Sequence, residues 1–259
     1  MKRVHIVGPP RSGTTLMLEL MITGFQFSMA FNNEMSVLHL PEKIPPGDTI
    51  CSKNPQDYRL VKHIIDKDSG IWFISMLRDP RDVITSRHNK RPGIYWTNLR
   101  QWQDWLNETT PFKQHDRFIE VRYEELVTDP DTVQQQLSEQ IPFLQMTHPF
   151  SDYHKFAKPS LQSLEAMGSI RAVNNNSVGN WRKHLPRLAG QLQIHGPVTR
   201  ELIELGYEND DQWLKLLDGI TPDTRPGVWP EFLSPEYIRQ MQKQHQARLR
   251  NYLENRGLL

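Results

Sequence analysis

The pattern opens on a short apolar run, Arg3 to Val7, cut off by Gly8-Pro9-Pro10. The period then changes. Leu16, Met17, Leu20, Met21 and Phe25 recur at helical spacing from Thr14 onward. The start of the chain therefore predicts strand, glycine loop, helix. A second apolar run, Phe25 to Phe31, predicts another strand, and "DTICSKN" a short one leading into Lys53. Tyr58 to Lys67 reads as a helix with Leu60, Val61, Ile64 and Ile65 on one face. "GIWFISML", Gly70 to Leu77, is almost continuously apolar, as a parallel strand covered on both faces should be.

Pro80 fits the first turn of a helix running to about Lys90. Trp96, Leu99, Trp102, Trp105 and Leu106 make Tyr95 to Leu106 an amphipathic helix. Arg117 to Val121 predicts a strand, Tyr123 to Val127 a helical turn, and Asp129-Pro130 the start of a helix to about Gln140. Beyond Pro142 the period fades. "THPFSDYHKFAKPSLQS" reads as a loop or mobile segment, and "NNNSVGNWRKHLP" as a loop entering a short helix. Leu188 to Leu205 and Pro235 to Asn255 read as helices, with a proline-containing wrap from about Asp218 to Pro230 between them. Strands alternating with helices predict an α/β three-layer fold with a mainly parallel sheet. We expect one domain over 1–259, with a nucleotide-binding core at about 1–140 and a helical part at about 180–259.

The first loop, "VGPPRSGTTL", resembles a triphosphate loop, G-x-x-x-x-G-K-[ST], with one change. Gly8 and Gly13 have the required separation and Thr15 supplies the hydroxyl. Thr14 stands where the lysine should be, and the loop's only cation is Arg11. A strand–loop–helix of this kind gathers backbone N–H groups and the positive end of a helix around an anion. Without the lysine it loses its reach to a γ-phosphate. A second basic stretch, "MLRDPRDVITSRH", puts Arg78 just past the buried strand, at the edge where open α/β sheets bind ligands. Ser86 follows eight residues later, two turns into the expected helix, and Arg81, Arg87 and His88 add positive charge.

Together "PPRSGTT" and "LRDPRDVITS" resemble the paired signatures of sulfotransferases that use 3′-phosphoadenosine 5′-phosphosulfate (PAPS). "VRYEELVTDP" and "SVGNWRKHLP" are similar to two further segments of that family, and the four lie in order over about residues 3 to 187. The resemblance, closest to the bacterial and tyrosylprotein-type branch, implies a P-loop-type fold and sulfuryl transfer to a hydroxyl or amine. It assigns Arg11, Ser12, Gly13, Thr14 and Thr15 to the 5′-phosphosulfate and Arg78 and Ser86 to the 3′-phosphate. Tyr123 and Ser177 join them in the cofactor site. The chain departs from cytosolic members where Asn174-Asn175-Asn176 replace an Arg-Lys-Gly, and Arg171 or Arg182 is the candidate substitute.

The resemblance also implies the catalytic set. Arg11 and Lys53, in "CSKNP", would stabilise charge around the transferred group. A hydroxyl acceptor needs a general base. Glu34 takes that role, with burial near Met35 and Val37 expected to tune it; His39 ranks third and His63 is remote. Trp96, Trp102 and Trp105 either line an acceptor pocket or pack as core, and helical spacing favours core. His148, Tyr153 and His154 are candidates to cover the acceptor from the irregular stretch.

Composition changes this picture little. With 31 basic and 30 acidic residues the net charge is +1, which gives no reason to expect a nucleic acid or membrane surface as partner. One cysteine, Cys51, allows no intrachain disulfide and no CxxC metal pattern. The chain enters its first strand at once and holds no membrane-length apolar run, so a cytoplasmic protein is expected. The expected co-substrate is PAPS, giving adenosine 3′,5′-bisphosphate, with no metal required. The acceptor stays open among small molecules, glycans, lipids and peptides, and oligomeric state is unreadable. The rival readings are a small-molecule kinase with Asp79 as metal ligand, and a non-catalytic protein that binds adenosine 3′,5′-bisphosphate.

Overall fold

The computed structural model describes residues 1–43, 49–87 and 93–259. Five strands form one sheet: β1 (Lys2–Val7), β2 (Met29–Glu34), β3 (Thr49–Lys53), β4 (Ile71–Leu77) and β5 (Phe118–Arg122). Their order is β2-β3-β1-β4-β5, and every ladder is parallel. The helices are α1 (Thr14–Gly24), α2 (Val61–Ile64), α3 (Pro80–Ile84), α4 (Leu99–Thr109), α5 (Tyr123–Thr128) and α6 (Pro130–Gln140). Then come α7 (Tyr153–Phe156), α8 (Leu161–Met167), α9 (Leu185–His195), α10 (Thr199–Glu204) and α11 (Pro235–Asn255). The expected α/β layering with a parallel central sheet is what the chain adopts.

Side-chain alternation on the inner strands feeds two cores. On β4, Ile71, Phe73 and Leu77 join Trp102 and Trp105 of α4 on one face. Ile74 and Met76 join Met17, Leu20 and Met21 of α1 on the other. Burying both faces makes β4 read as continuously apolar. The carboxyl ends of β1, β3 and β4 therefore share one edge, and the loops that leave them carry the candidate chemistry.

Several elements differ from the sequence expectation. β2 begins at Met29 instead of Phe25. Phe25 caps α1 and packs edge-on against Phe150, so its apolarity serves the helix layer. β2 is an edge strand paired only with β3 and largely exposed, which is why its Asn32-Asn33-Glu34 end carries no strand pattern. The helix after Pro80 stops at Ile84, where the Thr85 hydroxyl donates back to Arg81 O at 2.7 Å. Ser86 thus lies beyond that helix. The expected continuation to Lys90 falls on 88–92, outside the described residues, as does His88. Helix α4 starts at Leu99, capped by Asn98, leaving Trp96 in the preceding loop. Tyr58 to Lys67 divides into a 3-10 stretch, Pro55–Leu60, and the short α2. Leu188 to Leu205 is broken into α9 and α10 by Gly196, at φ 87, and Pro197.

The stretch after Pro142, expected to be irregular, carries α7 and α8. Gln134 fixes it from α6. Its amide donates to Gly24 O and His148 O and its carbonyl accepts from Phe150 N–H, while Phe150 is fully buried. The wrap from Asp218 to Pro230 has no helix, as expected. Arg187, also fully buried, ties Arg225 O to Thr97 O and so fastens the wrap to the start of α4.

Candidate active site

A cavity of about 610 Å³ opens at the carboxyl edge of the sheet, between the first loop, β2, β3, Arg78 and the 162–177 segment. Its floor is the β1–α1 loop. Gly13 ends the loop in a left-handed conformation (φ 97) and caps α1 without a side-chain hydrogen bond, leaving the first-turn N–H groups uncapped. Its hydrogen is needed: a Cβ would stand 2.5 Å from the Tyr123 ring. Arg11 is also left-handed, at φ 74, a backbone state rare for a side-chain-bearing residue and common at functional sites. Ser12 is fully buried and its hydroxyl has no hydrogen-bond partner in the described chain.

Two arginines converge above this loop. Arg11 Nε donates to Ser86 Oγ at 2.8 Å, and its Nη1 to Ala166 O at 3.4 Å. Burial, helped by the neighbouring charge of Arg78, pushes the Arg11 guanidinium below its ordinary value. Arg78 donates to Arg11 O at 3.0 Å and to Ser177 O at 2.8 Å, and lies 4.1 Å over the Tyr123 ring. Its buried Nε has no partner. Ser86 thus meets Arg11 directly and reaches Arg78 only through the loop. Ser177 contributes its carbonyl to the arrangement.

The Lys53 ammonium, also in the lining, is almost fully buried at the end of β3. It donates to Thr15 Oγ1 and to Glu34 Oε1, each at 3.1 Å. Pairing of β3 with β1 and β2 brings these three together from separate segments. Glu34 itself is 46% exposed at the side chain, so the expected burial beside Met35 and Val37 is absent. Val37 faces the core, whereas Glu34 faces the cavity.

Other candidates separate clearly. Arg171 lines the cavity, where it donates to Met167 O and Ser169 Oγ. Arg182 stacks on Trp181 instead. Trp102 and Trp105 are fully buried in the core, donating to Arg78 O and Ser75 Oγ. Trp96 lines the cavity and so does Tyr153, while His148 stacks on Phe156. His39, His63 and His154 lie outside the lining. Asp79 caps α3 and pairs with Arg81, which leaves it occupied. Among the described residues no three His, Cys, Asp or Glu cluster as metal ligands, and no helix is long and apolar enough to cross a membrane.

Sequence reasoning missed three contributors. Trp229 enters the cavity from the C-terminal wrap, and Gln162 and Glu165 enter from α8. Asp82 is the fourth unforeseen group. Its buried carboxylate accepts from Gly179 N–H and Trp181 N–H, both at 2.8 Å, and so pins the "VGNW" turn beside Arg78. Burial pushes Asp82 up, against the pull of Arg78 and the two N–H donors.

A sequence profile described as "Sulfotransferase family" matches residues 27–143, which include Glu34, Lys53, Arg78, Ser86 and Tyr123. No curated protein matches the chain. Among solved structures, it is similar to the sulfotransferase domain from the Synechococcus PCC 7002 olefin synthase, at 16% identity and TM-score 0.49, covering 70% of this chain and 87% of that one. It is similar to the sulfotransferase domain from the curacin biosynthetic pathway at 15% identity and TM-score 0.48, covering 94% and 97%. A mouse sulfotransferase complexed with PAP aligns at 13% identity and TM-score 0.37, covering 99% and 87%. The stretch from just before β2 to just beyond α6, residues 27–143, is thus similar in sequence to the sulfotransferase family.

Proposed function

We propose that the protein moves the sulfuryl group of PAPS to a hydroxyl or amine of an acceptor by in-line displacement. One convergence carries this reading: Lys53 bridges Thr15 of the phosphate loop and Glu34 within a single cavity. A protein that only bound adenosine 3′,5′-bisphosphate would need the loop and Arg78. It would have no use for a carboxylate held beside the loop by a buried ammonium.

The residues fit the ligand. The uncapped start of α1 and the Thr14 and Thr15 hydroxyls suit a 5′-phosphosulfate. Arg78, with a buried nitrogen still unpartnered, suits a 3′-phosphate. Arg171, which lines the same cavity, is the candidate replacement for the missing Arg-Lys-Gly. In the reaction, the acceptor oxygen bonds to sulfur as the bond to the bridging oxygen breaks. Arg11 and Lys53 offset charge on that oxygen and on the transferred oxygens. Glu34 takes the acceptor proton, and adenosine 3′,5′-bisphosphate leaves.

Thermal unfolding with added ligand tests the assignment, because a ligand of the native state raises Tm. PAPS and adenosine 3′,5′-bisphosphate should each raise it, and PAPS should be consumed when an acceptor is added. A rise with ATP and Mg²⁺ but with neither 3′-phosphorylated nucleotide would overturn the proposal.

A further inference from the structure

The cavity also holds aromatic and amide side chains that the transfer step does not use. Val228 N–H donates to Tyr95 O at 2.8 Å, so the residues that follow, Trp229 and Trp96, enter the cavity as neighbours. The wrap that delivers Trp229 is firmly held. Asn98 donates its amide to Trp229 O at 3.1 Å and to Pro230 O at 2.9 Å, and Arg100 Nε donates to Glu231 O at 3.1 Å. The Glu231 carboxylate in turn meets Gln191 at 3.2 Å and His195 at 2.7 Å. This strap costs backbone ordering, and it uses several buried groups to hold Trp229 in the cavity lining.

Asn32 and Asn33, which precede Glu34 on β2, and Gln162 of α8 line the same cavity. Asn32 O accepts from Ser160 and Ser163, which sets α8 against the end of β2. The side-chain amides of these three residues form no hydrogen bond among the described residues. Each amide offers two donors and an acceptor, a set that matches vicinal hydroxyls. Tryptophan faces supply apolar area for a ring whose edges are polar. A flat apolar acceptor such as a sterol or simple phenol would strip water from these amides without replacing its hydrogen bonds. An anionic peptide would meet Glu34 at the point of transfer.

Resting on the sulfuryl-transfer reading above, we propose that the acceptor is a neutral saccharide, its ring packed on Trp96 and Trp229 and its hydroxyls held by Asn32, Asn33 and Gln162. Glu34 and Lys53 then stand at one ring hydroxyl, and the remaining hydroxyls fix which one.

The test uses the full chain saturated with adenosine 3′,5′-bisphosphate, with intrinsic tryptophan fluorescence as readout. It is titrated with lactose, maltotriose and cellotriose, and separately with 2-naphthol, a sterol and an acidic tyrosine peptide. Transfer from PAPS to each is measured in parallel. At least one saccharide should bind and accept sulfate in preference to the other classes. Trp229→Leu should weaken it about tenfold, while the Tm rise given by the bisphosphate stays unchanged. Asn33→Ala, an exposed position that cannot endanger folding, should weaken it several-fold. Preference for the phenol, sterol or peptide overturns the inference, as does saccharide binding unaffected by both substitutions. Absence of any Tm rise with bisphosphate overturns the nucleotide reading itself, a failure distinct from a wrong acceptor.

Discussion

Lys53 Nζ and Glu34 Oε1 lie 3.1 Å apart, although their strands are separated by a long connection and Glu34 is half-exposed at the cavity while Lys53 is buried. The ammonium orients the carboxylate toward the loop without enclosing it. If Glu34 takes the acceptor proton, Glu34→Gln preserves the shape and a hydrogen-bonding partner but removes the base. Turnover should fall by about 10²–10⁴. The Tm rise with adenosine 3′,5′-bisphosphate should stay the same. Turnover near wild type would assign the proton to another group.

Lys53→Met tests the other partner. The methionine fills most of the buried volume, so the β3 end should hold. It also removes the donor shared by Thr15 and Glu34. Loss of one preorganised charge-stabilising donor costs about 10²–10³ in rate. We therefore expect kcat to collapse in that range with a smaller change in nucleotide affinity. Equal losses in both would make Lys53 a binding group only.

Arg78 predicts a discrimination experiment. Its guanidinium is held by Arg11 O, Ser177 O and the Tyr123 face, and its Nε is still open. Charge-assisted hydrogen bonds contribute about 1.5–3 kcal/mol. Arg78→Ala should therefore weaken adenosine 3′,5′-bisphosphate about 10- to 100-fold. Adenosine 5′-phosphate, which lacks the 3′ group, should lose much less. Calorimetric titration of both nucleotides gives the comparison, and parallel losses would refute the 3′ assignment.

Legibility in the sequence followed locality. The loop at Gly8 to Thr15 and the strand ending at Arg78 were readable because short-range periodicity and a spaced motif define them. Lys53 and Glu34 were identifiable by resemblance, yet their contact was not, because it depends on the register of three strands. Ser86, expected two turns into a helix, lies beyond α3 with its hydroxyl on Arg11. Nothing local says that Thr85 will turn its hydroxyl back and end α3. Trp229 left no signal at all. It reaches the cavity only because Asn98, Arg187 and Gln191 fasten a patternless wrap. The edge strand β2 starts four residues after the apolar run that predicts it, since an exposed edge needs no alternating apolar face.

Asp82 makes a stability prediction away from the reacting groups. Its two oxygens accept from Gly179 and Trp181, and no other acceptor of those N–H groups is present among the described residues. A buried N–H left without a partner costs about 1–3 kcal/mol. Asp82→Ala should lower urea-unfolding stability by about that much for the buried Trp181 N–H and by less for the half-buried Gly179 N–H, and Asp82→Asn, which keeps one acceptor oxygen, by less than Asp82→Ala. Because Ser177 lies two residues from Gly179, nucleotide affinity should fall with it. Unchanged stability in Asp82→Ala would mean that solvent takes over both N–H groups.

His5 predicts how stability depends on pH. It is fully buried on β1, with Nδ1 2.8 Å from Ser52 Oγ, the ring edge-on to Phe73, and Nε2 3.2 Å from Asp57 Oδ2. Burial pushes the imidazole below its ordinary value. Asp57 pulls the other way without overcoming it, and Arg3 adds to the lowering. The unfolded chain therefore takes up this proton first. Stability from neutral His5 is complete above about pH 6.5 and is lost as pH falls through the lowered native value. The limiting slope for one such group is about 1.4 kcal/mol per pH unit. His63, His184 and His245 are lowered by burial as well, so the wild-type curve alone cannot isolate His5. His5→Gln keeps a partner for Ser52 and removes the titration. Its denaturant midpoint should fall less than that of wild type between pH 7.5 and 5.5. Parallel curves would show that His5 protonates equally in both states, which its burial beside Ser52 and Phe73 argues against.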